Sequence, residues 1–112
     1  MAHVSHLWGC ELPDDAITWY DSNDNVVDFS AGWTFTAKLG APASPAVITK
    51  TTGITGAATS PNVTIAWTTA ELSSLPNQTA TYALQVIARR TSDSKDRPFP
   101  QPISFTILPA VT

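Results

Sequence analysis

Cysteine, histidine, glycine and charge are all scarce in this sequence of 112 residues. Cys10 is the only cysteine, so no disulfide can form within the chain and core packing must hold the fold. Charged residues make up 13% of the chain, with a formal net charge of -3. That balance lacks the one-sided excess of Lys and Arg that phosphate binding needs, so no nucleic-acid partner is expected. Arg89 and Arg90 form the one adjacent basic pair and read as solvated strand residues. The two histidines, His3 and His6, both fall within the first six residues, where a catalytic base has few neighbours to orient it. There is no glycine-rich phosphate loop, and the paired acids Asp14 with Asp15 and Asp93 with Asp96 sit in turn-like polar contexts. No enzyme, no catalytic residue and no cofactor is expected. No run of about eighteen apolar residues occurs, so no membrane span is expected. The start "MAHVSHLWGCELPDD" lacks a basic stretch followed by an apolar one, so no signal peptide is expected, which points to synthesis in a reducing, soluble compartment. Asn62-Val63-Thr64 and Asn77-Gln78-Thr79 match the glycosylation pattern and read as chance matches in a Thr-rich chain.

What the sequence has in quantity is alternation. The hydrophobic fraction is 43%, enough for one core in one domain spanning 1–112. "WTFTAKL" puts Trp33, Phe35, Ala37 and Leu39 on one face, with Thr34, Thr36 and Lys38 on the other. "NVTIAW" aligns Val63, Ile65 and Trp67, "TYALQVIAR" aligns Tyr82, Leu84, Val86 and Ala88, and "PISFTIL" aligns Ile103, Phe105 and Ile107. Shorter strand candidates are "VSHLWG", "AITWY" and "AVITKT". Pro42, Pro45, Gly53, Gly56, Pro98, Pro100 and Pro102 punctuate the chain between or beside them. About seven short strands at this spacing predict an all-β antiparallel sandwich. One segment departs from the period of two. In "TTAELSSLP", Thr68 stands three residues before Glu71, a capping-box spacing, and Leu72 and Leu75 fall on one side of a helical turn that Pro76 ends. A short helix is predicted over residues 69–75.

The densest polar cluster, "DSNDN" at residues 21–25, begins like a calcium loop, with Asp21, Asn23 and Asn25 at alternate positions. The glycine such a loop needs at its sixth position is Val26, and the bidentate glutamate at its twelfth is Gly32. A polar hairpin turn is the expectation. His3, His6 and Cys10 form the one group of soft metal ligands, and tetrahedral zinc lacks a fourth among His and Cys; a nearby Asp or Glu would be needed. No metal site is expected, and tail histidines with a core-packed Cys10 are the plainer reading. Of the four tryptophans, Trp33 and Trp67 are in phase with apolar faces, whereas Trp8 and Trp19 are either core residues or exposed anchors for a partner or a sugar.

Val27-Asp28-Phe29, Trp33–Leu39, Val63–Trp67, Ala70–Leu72 and Tyr82–Val86 follow one another in an arrangement that resembles the immunoglobulin-like domain at the N-terminus of bacteriophage baseplate upper proteins and related small phage virion modules. The likeness spans most of residues 17–109, and Thr79, Ala80 and Thr81 replace the Pro-Gly pair that typically precedes the Tyr. It implies an immunoglobulin-like sandwich acting as a structural virion protein, either a tail or baseplate component or a capsid decoration. Its partners would be other virion proteins and copies of itself in a symmetric array, where repetition lets avidity replace single-site affinity. Its location would be the virion, after synthesis in the host cytoplasm. The alternative is a carbohydrate- or receptor-binding module. Protein contacts are expected from two poorly patterned stretches: the N-terminal residues 1–13, as an assembly arm carrying Leu7 and Trp8, and the loop "RTSDSKDRPFPQP", carrying Phe99 between Pro98 and Pro100.

Overall fold

The computed structural model describes residues 3–10, 14–41, 44–99 and 103–111. Nine strands and one short helix follow in the order β1 (His3–Leu7), β2 (Asp15–Ile17), β3 (Trp33–Gly40), β4 (Ile48–Lys50), β5 (Ile54–Gly56), β6 (Val63–Ile65), α1 (Thr69–Ser73), β7 (Ala80–Arg90), β8 (Lys95–Pro98) and β9 (Ile103–Leu108). They form two sheets. The larger runs β1-β9-β7-β3-β4 with β8 also on β7, and the smaller runs β2-β6-β5. In the lettering of the immunoglobulin fold, β2, β6 and β5 stand as strands B, E and D. Strands β4, β3, β7 and β9 stand as C′, C, F and G. The expected sandwich is therefore the observed fold, and its strand order is immunoglobulin-like.

Alternation sets the register. In β3, β7 and β9 the inward positions are Phe35, Ala37 and Leu39, then Leu84, Val86 and Ala88, then Ile103, Phe105 and Ile107, and all are buried. From the smaller sheet Ile17, Val63 and Ile65 meet them. A slip of one residue in any of these strands would turn its apolar set out to water, so the pairing is strongly specified. Trp33 and Tyr82, on the same faces, are half-buried at the sheet ends. The predicted helix forms over Thr69–Ser73 with both capping-box bonds present, and Leu72 and Leu75 are buried beneath it. At Gly56 a Cβ would lie 2.1 Å from the carbonyl oxygen of Phe29, so only glycine lets these two backbones approach.

Three features were not legible in the pattern. First, β1 pairs with β9 in parallel, His3 opposite Ser104 through Leu7 opposite Leu108, while every other named strand pair is antiparallel. Second, β5 occupies a segment whose two glycines read as a break. Third, the loop "RTSDSKDRPFPQP" contains β8, which folds back on the end of β7 with Arg90 opposite Lys95 and Ile87 opposite Pro98. All four residues of β8 are exposed, so hydrophobic alternation gives no signal there. Its Lys95, Asp96, Arg97 and Pro98 are the residue types that keep an edge strand from pairing with other chains.

Candidate functional site

Inward positions of three strands carry polar residues. His6 follows Val4 on the inner side of β1, Asp15 precedes Ile17 on β2, and Lys50 follows Ile48 on β4. Each is buried, at 2%, 5% and 3% exposure. Around Trp67, just past β6, they assemble into one chain of contacts at the end of the sandwich where β1 and β9 finish. His6 Nε2 lies 3.0 Å from both carboxylate oxygens of Asp15. Its Nδ1 faces the Cys10 carbonyl at 3.3 Å, and the ring stacks on Phe105 with centroids 5.3 Å apart. Trp67 Nε1 donates to Asp15 Oδ2 at 2.7 Å. Lys50 Nζ sits 5.6 Å from the centre of the Trp67 ring and donates to Glu71 Oε1 at 2.7 Å. The indole thus meets a carboxylate at its N–H edge and a cation over its negative face, the two arrangements its charge distribution favours.

The ionisation follows from these contacts. Hydrogen bonding to Asp15 raises the His6 pKa above 6.5; burial opposes this, and the Asp15 charge and the Cys10 carbonyl add to it. Burial works to raise the Glu71 pKa, but donation from Lys50 and from Thr68 outweighs it and holds the carboxyl below its ordinary value. Among the described residues no buried side-chain polar atom lacks a partner, so the polar groups of this cluster are engaged with one another. Chemically it is a fastener. It ties β1 and β4 of the larger sheet to β2, Trp67 and α1 on the smaller-sheet side.

Asn62 is a second buried polar anchor, fully excluded from water. Its Oδ1 accepts from the Trp19 N–H at 2.7 Å, and its Nδ2 donates to the carbonyls of Trp19 and Val27 at 2.9 and 2.8 Å. It therefore ties together the two sides of the turn that follows β2. A buried amide with its donors and acceptor so engaged presents no surface for glycosylation, which agrees with reading Asn62-Val63-Thr64 as a chance match.

That turn answers to the expected hairpin. Tyr20 bridges to Val26, Asp21 Oδ1 accepts from the N–H groups of Asn23 and Asn25 at 2.8 and 3.0 Å, and Asp24 adopts a left-handed φ of 62°. The side-chain oxygen is spent on the chain's own backbone, as Asp does in turns. His6 is a core residue instead of a tail residue, and Cys10 is exposed instead of core-packed. Among the described residues no three His, Cys, Asp or Glu side chains gather in a metal-binding group. Arg89 and Arg90 are exposed and pair with Asp96 and Asp93 across the β7–β8 hairpin.

The residues expected to make protein contacts fall in two places. Of the stretch 1–13, residues 1–2 and 11–13 lie outside the described residues, and β1 is an integral edge strand. Leu7 points out from it, 46% exposed, beside Leu108 at 45% on β9. Trp8 is half-buried, and its Nε1 donates to the Leu75 carbonyl at 2.6 Å, so the indole is largely committed to its own domain. An open groove of about 580 Å³ runs beside these residues, lined among others by Leu7, Trp8, Cys10, Ser73, Pro109 and Val111. Phe99 lies elsewhere. It is half-buried with its ring edge-on to Trp19, centroids 5.1 Å apart, and its N–H donates to the Val86 carbonyl. Ala80 stands opposite Ile107 near the Leu7 end, so Phe99 is about 20 Å away along β7. Trp19 is buried at 1% exposure and offers no surface to a sugar. Residues 100–102 of the expected contact loop lie outside the described residues.

The missed residues are His6, Asp15, Lys50 and Asn62. A signal existed for three of them: in V-x-H, D-x-I and I-x-K, each polar residue shares the strand face of an apolar one. No family model matches this chain, and neither a curated protein nor a solved structure matches it.

Proposed function

We propose that the chain is a structural module of a phage virion, in a tail or baseplate or on the capsid surface, acting through protein–protein contact. The observation that supports this reading best is how exposed apolar residues are distributed. Leu7, Leu108 and Val111 gather at one end of the sandwich, beside the groove next to Trp8, whereas the charged hairpin β7–β8 occupies the other end. Tyr20 and Val47 are also exposed but do not line the groove; a cluster of apolar residues beside a groove fits a protein contact. The buried ionisable groups are meanwhile engaged in holding the sheets together. A sandwich with an apolar groove at one end suits repetition in a symmetric array, where many modest interfaces act together. The glycan-binding alternative has less support, because Trp19 and Trp67 are buried and Trp8 and Trp33 are half-covered by their own chain.

The test pairs genetics with surface chemistry. Genes for capsid or tail proteins should flank the gene for this chain. The exposed substitutions Leu7→Glu and Leu108→Glu together should leave the circular dichroism spectrum and melting temperature near those of the parent, while the protein no longer joins particles. A doubly substituted protein that still joins particles at parental occupancy, or a gene set among metabolic genes, would remove this reading.

A further inference from the structure

The strongest unexplained feature is the proton count of the His6–Asp15 pair. A carbonyl oxygen only accepts, so the contact from Nδ1 to Cys10 requires a proton on Nδ1. A carboxylate also only accepts, so the contacts from Nε2 to Asp15 require a proton on Nε2. Both contacts are hydrogen bonds only when both ring nitrogens carry protons, so this geometry favours the imidazolium form of His6. Removing one proton leaves two acceptors facing each other inside the protein, either Nε2 against Asp15 or Nδ1 against the Cys10 carbonyl. Neither can be relieved by water, because His6 is 2% exposed.

The place of His6 turns this into a device. It sits on β1, a five-residue edge strand that pairs with β9 on one side only. Beyond that pairing, β1 and the residues after it are held to the body by Val4 and Trp8 packing on the core, by Trp8 on the Leu75 carbonyl, and by His6 on Asp15, the one of these contacts that a proton controls. We propose that the His6–Asp15 pair is a proton-loaded latch: protonated, it fastens the edge strand β1 across to β2, and deprotonated, it lets β1 loosen from β9.

Among the described residues the charged neighbours of the latch can be named, and the exposed Asp14 adjoins Asp15 in the chain. From β2 comes Asp15, and beyond the Trp67 ring lie Lys50 of β4 and its partner Glu71 of α1. Strand β9 presents Phe105 and has no titratable side chain, and the other histidine of β1, His3, is exposed. The sign follows from linkage. Closed, His6 binds its proton more tightly than it does open, where the value returns to about 6.5. Below that value both forms are protonated and the latch contributes fully. Above it the open form sheds its proton first, and opening becomes about tenfold easier for each pH unit until the closed-state pKa is reached. The latch therefore holds fully below about pH 6.5 and weakens as the pH rises from there to the closed-state value.

The experiment uses the intact chain and needs no partner. Nuclear magnetic resonance titration of the imidazole signals from pH 5 to 10 should place His6 above the ordinary histidine value of about 6.5. Amide hydrogen exchange, corrected for intrinsic rates, should then show protection of residues 4–7 and 104–108 falling by about tenfold per pH unit between about 6.5 and the His6 value found in that titration, and levelling above it. Protection in the β3–β7 pairing should stay level, and the slope should vanish in His6→Gln. The proposal is overturned if His6 titrates at or below about 6.5, or if protection of β1 in the parent is flat with pH. It is equally overturned if β3–β7 loses protection together with β1, since opening would then be global, or if His6→Gln keeps the parental slope. The parent titration and exchange stand by themselves if His6→Gln does not fold.

Discussion

Replacing Trp67 by Phe separates the hydrogen bond at the centre of the buried cluster from the packing around it. Phe retains most of the ring, and with it the edge-on contact to Phe105 at a centroid distance of 5.2 Å. What it loses is the N–H that Asp15 Oδ2 accepts at 2.7 Å. Asp15 is 5% exposed, so no water replaces that donor. A hydrogen bond to a charged group contributes about 1.5–3 kcal/mol. The weaker cation contact of Lys50 over a smaller ring adds about 0.5 kcal/mol. The expected cost of Trp67→Phe is therefore about 2–3.5 kcal/mol. Trp67→Ala also removes the side-chain volume, for which about 3–5 kcal/mol is usual. Its total approaches the lower end of the whole stability of a domain this size, roughly 0.05–0.15 kcal/mol per residue. Equilibrium unfolding in urea measures the difference, with the remaining tryptophans as fluorescent probes and an unchanged slope confirming a common unfolded state. A Trp67→Phe protein within about 0.5 kcal/mol of the parent, the range of an ordinary surface change, would refute the assignment of stability to the Asp15–Trp67 bond.

Four further outcomes are expected. Asn62→Ala should cost about 3 kcal/mol or more in the same assay, because it strands the N–H of Trp19 and two carbonyls in the interior; a loss under 1 kcal/mol would contradict this. Glu71→Gln should destabilise more than Lys50→Met, because it leaves a 3%-exposed ammonium without its counter-charge, whereas Glu71 keeps Thr68 and partial access to water; the reverse order in melting temperature would count against the pairing. Gly56→Ala should fail to accumulate as folded protein, since its methyl group would collide with the Phe29 carbonyl; a normal melting curve would show the two backbones to be further apart. Calcium or its chelator should leave the melting temperature unchanged, because Asp21 spends its oxygen on the turn; a reversible rise of several degrees would reveal a site.

The sequence by itself determined the sandwich, the faces of its long strands and its one helical turn. Those properties are local: alternation over five or more residues commits a strand face, and a capping box with two leucines three apart commits a turn of helix. Twelve of the fourteen inward residues read from alternation are buried, with only Trp33 and Tyr82 half-exposed at the sheet ends. Short or charged strands escaped for the same reason. β8 exposes all four residues, so no hydrophobic period marks it, and it exists because Arg89 and Arg90 of β7 meet Asp96 and Asp93 across the turn. The buried cluster could not be read because its meaning is pairwise. His6 and Asp15 are nine residues apart, Asp15 and Trp67 fifty-two, and Lys50 and Glu71 twenty-one. A lone His near a chain end reads as a tail residue, and a lone Asp or Lys as solvent-facing. Only the parallel docking of β1 on β9, across from β2, brings the imidazole to the carboxylate. Whether a charge is a surface group or a fastener depends on what lies opposite it, and that is a property of the tertiary structure alone.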